Sequence, residues 1–102
     1  MGRVIRDCQE NDYFRRQCAA IANAYNTNES HVDQVLNGLT WAISRNAEFF
    51  STVGELEMRV GFAFGQHPLP ALKVYFNIVD DECVELLWVE DDEGGYFFYE
   101  EV

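Results

Sequence analysis

Hydrophobic and polar positions follow two rhythms along this chain, one in each half. Early on, Phe14, Cys18, Ile21 and Tyr25 recur at spacings of four, three and four, which places them on one face of a helix. Asn11 or Asp12 can cap its start, and it is expected to run to about Tyr25. Asn26-Thr27-Asn28 then supplies turn-prone residues. A second helix is predicted to begin at Ser30, with Asp33 three residues later in a capping-box arrangement, and to end near Ala47. Its apolar stripe is Val32, Val35, Leu36, Leu39 and Ile43. Gly38 interrupts it at a cost in helix propensity, and close approach of the first helix is the expected reason. Trp41 falls opposite the stripe at about 100° per residue. It is expected to pack on the first helix or the chain's end, with an exposed contact residue as the alternative.

After Phe49-Phe50 the period becomes two. Leu56, Met58, Val60, Phe62 and Phe64 alternate with Glu57, Arg59, Gly61 and Ala63, the pattern of a half-buried strand with the larger residues inside. Gly65 to Pro70 holds two prolines, which cannot donate to a ladder, and reads as a loop. Leu72, Val74, Phe76 and Ile78 alternate with Lys73, Tyr75, Asn77 and Val79 in a second strand. Asp80-Asp81-Glu82 turns the chain into a third, Val84 to Glu90, with Val84, Leu86 and Trp88 predicted inside. Glu93-Gly94-Gly95 suggests a hairpin into a last strand at Tyr96–Tyr99, and Gly2–Arg6 reads as a short edge strand. The expected fold is a single α+β domain over residues 1–102. Two N-terminal helices pack on one face of a three- to four-stranded antiparallel sheet. The open face is predicted to show Glu57, Arg59, Lys73, Tyr75, Asn77, Glu85, Leu87 and Val89.

Composition agrees with one core. The 102 residues are 48% hydrophobic and 15% aromatic, so burial is ample and disorder is not expected. Charge changes the picture more. The net is −11, and from Ala71 onward ten acids stand against one base, Lys73, for a net of −9. Such a surface repels nucleic-acid phosphates and anionic membranes, so neither is an expected partner. Cys8, Cys18 and Cys83 are widely spaced with no CxxC. With no signal-like apolar run near Met1, this leads to an expectation of reduced thiols in the cytoplasm.

The stretch Met58-Arg59-Val60-Gly61, then Ala71 to Asp81 and Val84 to Glu90, resembles the RelE/ParE superfamily of bacterial toxins from toxin–antitoxin pairs. In that family an apolar-Arg-Val-Gly strand leads to a strand like Tyr-Arg-Val-Ile-Tyr, an acidic turn and a last apolar strand. The helix His31–Ala47 matches the family's second helix. Members that cleave mRNA use Lys and Arg on the open sheet face to orient the phosphate and stabilise charge, assisted by a C-terminal Tyr or Arg. By the resemblance, Arg59, Lys73 and Tyr99 are the catalytic candidates. Glu57 stands where another base is expected, and the last strand runs into Glu90-Asp91-Asp92-Glu93 in place of a Gly-Lys-Arg-like end. Two unit charges about 4 Å apart interact by roughly 4 kcal/mol at an effective dielectric of about 20. Acids in place of bases therefore turn a strong attraction for phosphate into repulsion, and efficient mRNA cleavage is not expected.

Other chemistry has little support in the spacing. His31 and His67 lack Cys or acidic partners in a metal-ligand pattern, Glu90–Glu93 lacks calcium-loop spacing, and no cofactor is expected. The expected function is that of a toxin-related protein acting by protein binding, since some branches of the superfamily act that way. Its partner is then a cognate antitoxin-like protein or another protein target, with a homodimer left open. Binding would use Arg59, Lys73, Tyr75, Glu85, Leu87, Val89 and Trp41. The alternative is an acidic nucleic-acid mimic that blocks a basic site on a nucleic-acid-handling protein.

Overall fold

The computed structural model describes residues 2–7, 13–55 and 57–92. Its elements are β1 (Val4–Asp7), α1 (Tyr13–Ala24), α2 (Glu29–Asn46), a 3-10 turn (Ala47–Phe49), β2 (Arg59–Ala63), β3 (Leu72–Asp80) and β4 (Cys83–Asp91). They form an α+β fold of two helices and a four-stranded sheet in the order β1-β4-β3-β2. The sheet is mixed, not antiparallel throughout. β2, β3 and β4 form an antiparallel meander, whereas β1 pairs parallel with β4 from Val4↔Cys83 to Asp7↔Leu86. The expected helix caps Asn11 and Asp12, and the expected last strand Tyr96–Tyr99, lie outside the described residues.

Asn26 adopts a φ of 56°, a left-handed conformation that Asn tolerates better than most residues, and the chain leaves α1 there. Asn28, not Ser30, caps α2: its Oδ1 accepts the His31 N–H at 2.9 Å. The helix therefore starts earlier than the capping-box reading implied, with Glu29 in its first turn beside the positive end of the helix dipole. All five residues of the predicted α2 stripe are buried, with Phe14, Cys18 and Ala22 from α1. They share one core with Leu72, Val74 and Phe76 of β3 and Val84, Leu86 and Val89 of β4. Burial of each large aliphatic or aromatic side chain stabilises by about 1.5–3 kcal/mol. Phe50 closes the core edge-on against Phe76, ring centres 5.5 Å apart.

Two strands depart from simple alternation, and both departures decide which side chains reach the open face. In β2 the phase is the reverse of the expected one. Gly61 and Ala63 are buried, while Phe62 is 55% and Phe64 94% exposed. The cause is space. A Cβ on Gly61 would lie 2.8 Å from Leu39 Cδ1 and 2.9 Å from Phe50 Cε2, so α2 and Phe50 already fill the volume an inward aromatic would need. In β4 a bulge intervenes. Pairing passes from Tyr75↔Trp88 to Phe76↔Leu86, leaving Leu87 unmatched. The extra residue turns Val89 into the core and Trp88 out of it.

Gly38 does not serve a close helix approach either. A Cβ there would meet nothing within 4 Å. Trp41, expected to be covered, is 61% exposed, because the core takes the opposite side of α2 and no described element lies over this one. Its ring carries the Arg45 guanidinium at 5.2 Å.

Candidate functional site

Residues paired across a ladder share a face, so register fixes the open side of the sheet. It carries Arg6 from β1, Val60 and Phe62 from β2, Lys73, Tyr75 and Asn77 from β3, and Glu85, Trp88 and Glu90 from β4. At its centre the Tyr75 and Trp88 rings stack with centroids 4.4 Å apart and planes inclined by 29°. This is the close non-covalent pair that a cross-strand position allows. Beside it the Lys73 ammonium lies 3.7 Å from Glu90 Oε1 and 3.8 Å from Asp92 Oδ1.

Charge in this cluster is locked by its own members. Partial burial pulls the Lys73 ammonium toward deprotonation, but Tyr75, Glu90 and Asp92 outweigh it and hold its pKa above the usual value. Partial burial pushes the Tyr75 phenol up, and Glu90 adds to that. Tyr75 therefore stays protonated and Lys73 charged across the physiological range. Neither is poised as a general base at neutral pH.

The structure separates the two cations that the resemblance placed together. Arg59 pairs with Phe76 and so lies on the core side of the sheet, whereas Lys73 is on the open side. The Arg59 guanidinium donates to the Phe50 carbonyl at 2.6 Å and the Glu48 carbonyl at 3.2 Å, both just after α2. It ties β2 to that segment and leaves the open face without its charge. Of the other predicted site residues, Tyr75 and Glu85 take their expected face. Val89 does not: it is buried, and its N–H donates to Gln17 Oε1 at 2.8 Å. Leu87 sits at the bulge, Glu57 precedes β2 and Trp41 is across the core on α2. Tyr99 lies outside the described residues.

Sequence reasoning missed Trp88, Val60 and Phe62. The signals were present. Four successive apolar residues, Leu86 to Val89, break a period of two, as a bulge does. Gly61 inside a strand marks close approach of another element.

Among the described residues no group of three or more His, Cys, Asp or Glu gathers to hold a metal ion, and no helix is long and apolar enough to cross a membrane. Comparison with protein-family models, curated proteins and solved structures found no match to this chain. What the fold and the site define is a small α+β domain with an aromatic, charge-compensated sheet face.

Proposed function

We propose that this chain is a toxin-related protein of RelE/ParE type that acts by binding a protein through its open sheet face and does not cleave mRNA. One observation carries the reading: among the described residues, the cations do not converge on the open face to hold a phosphate, since Arg6 stands opposite Glu85 on β1, two strands from Lys73. Arg59 is spent on carbonyls of the opposite side, and Lys73 is held between two carboxylates. What the face offers is the Tyr75–Trp88 stack with Val60 and Phe62 beside it, surface of the kind that anchors protein contacts. The chain order of a strand, two helices and three meander strands supports the resemblance. The acidic-mimic reading draws less support, because the described part of the acidic run is engaged internally. Lys73 holds Glu90 and Asp92, and the Tyr25 hydroxyl donates to Asp91 at 2.6 Å.

The test is co-purification with the product of a small gene adjacent to this one. A stoichiometric complex is expected, weakened roughly tenfold or more by Trp88→Ala or Tyr75→Ala and little affected by Arg59→Lys. A complex indifferent to both aromatic changes would remove the open face from the reading. A binding constant that collapses with salt would favour the mimic.

A further inference from the structure

β1 covers only part of its neighbour: its pairing with β4 ends at Asp7↔Leu86, whereas β4 runs on to Asp91. Beyond Leu86 the flank of β4 has no strand beside it among the described residues. The Asp92 N–H donates to the Ala71 carbonyl at 2.8 Å, so the backbone groups of Asp92 and, by alternation, Glu90 point to β3. Those of Val89 and Asp91 point to the free flank. A side chain stands in for a strand at one place there, where Gln17 Oε1 accepts the Val89 N–H at 2.8 Å.

Along this flank, on the α1 side of the sheet, lies a groove of about 280 Å³. Ala20, Ile21, Ala24 and Tyr25 form its helical wall, and Val89 and Asp91 its strand wall. The two alanines keep the helical wall low. A cavity of roughly 150 Å³ suffices to hold benzene, so one phenyl ring fits. Free backbone groups beside an apolar groove suit an extended segment that sends alternate side chains into it. The chain itself supplies one. After Asp92 it reads Glu93-Gly94-Gly95 and then Tyr96-Phe97-Phe98-Tyr99. A loop over residues 92–95, rich in turn formers, sets Tyr96 opposite Asp91, Phe97 opposite Glu90, Phe98 opposite Val89 and Tyr99 opposite Trp88. Residues 88–91 are the part of β4 that lies past β1 and past the bulge at Leu87. So short a tether gives the segment an effective concentration on the order of millimolar, which favours it over a strand from another molecule.

We propose that residues 96–99 add to the free flank of β4 as a further antiparallel strand, with Phe98 in the groove under α1. Opposed residues share a face, so Phe98 follows the buried Val89 toward α1, and Phe97 and Tyr99 follow Glu90 and Trp88 onto the open face. The Phe98 carbonyl takes the Val89 N–H from Gln17, and the Asp91 N–H gains a partner in Tyr96. The proposal does not depend on the open-face partner, since its anchor packs on α1.

Hydrogen exchange of the purified full chain, read by NMR at each amide over a concentration series, tests it. The Asp91 N–H is expected to be protected at every concentration, and the Val89 N–H to stay protected in Gln17→Ala. Phe98→Asp lowers the protection of Asp91 roughly tenfold or more, while Val74 in the middle of the sheet keeps its own, which separates undocking from unfolding. Phe97→Asp, the same change on the alternate face, leaves Asp91 protected. A wild-type Asp91 N–H that exchanges freely, protection that rises with concentration, or equal effects of the Phe97 and Phe98 substitutions overturns the proposal.

Discussion

Arg59 and Gly61 sit two residues apart on one strand and both face the core, yet they act by opposite means. Arg59 contributes hydrogen bonds from a charged donor to two carbonyls after α2, each of which stabilises by about 1.5–3 kcal/mol at most. Arg59→Ala is therefore expected to lower stability by about 1–3 kcal/mol in urea unfolding, without loss of partner binding. Equal stability of the variant would contradict the structural role. Gly61 contributes by having no side chain. Gly61→Ala forces a methyl against Leu39 and Phe50 and is expected to cost about 1–3 kcal/mol by overpacking, despite Ala's lower backbone entropy cost. Thermal unfolding of this single variant checks the reversed phase of β2, since an outward Gly61 would accept the methyl freely.

At the scale of elements, β1 is a strand of four residues tied to its neighbours by Arg3. The Arg3 guanidinium bonds the Glu48 carboxylate after α2 and the Asp80 carbonyl at the β3–β4 turn, the latter at 2.9 Å. The Arg3 backbone N–H donates to the Ser44 carbonyl at 2.7 Å. The bond from Arg3 holds the Glu48 carboxyl below its ordinary value of 4.5. A carboxyl depressed in the folded state stabilises above its unfolded pKa, and that contribution is lost as pH falls through the lower folded value. The expected result is a urea midpoint that falls on acidification below pH 4.5 more steeply in the wild type than in Glu48→Gln. Parallel curves would show that the pair adds nothing, as is common for exposed ion pairs. Helix periodicity was legible because a 3.6-residue stripe has one solution: Val32 to Ile43 are buried as read. The β phase was not legible from apolarity alone. A strand of Phe-Ala-Phe points its aromatics inward only if the layer above leaves room, and here Leu39 and Phe50 leave none. The β4 bulge likewise reverses Trp88 and Val89 by one inserted residue, a local count that alternation cannot register. Both errors fell on the sheet, so the candidate site and the β2 and β4 side of the core had to be redrawn, while the helical side of the core stood.

For the whole molecule, the acidic surface and the aromatic sheet face belong to different tasks. The sequence suggested that acidity replaced a catalytic face. In the structure the carboxylates nearest that face instead neutralise Lys73, and the core claims Arg59. What is left outward, besides Arg6 opposite Glu85 toward the β1 edge, is a stacked Tyr and Trp, suited to protein contact. The central claim is that this domain binds a protein and leaves mRNA intact. Its most direct test is induction of the chain alone in a bacterial host, with growth followed beside a transcriptome-wide map of mRNA 5′ ends. Growth arrest relieved by Trp88→Ala, with no new 5′ ends in translated messages, is the predicted result. Arrest accompanied by new cleavage ends that vanish on Lys73→Ala, or unimpaired growth of the wild type, would contradict it.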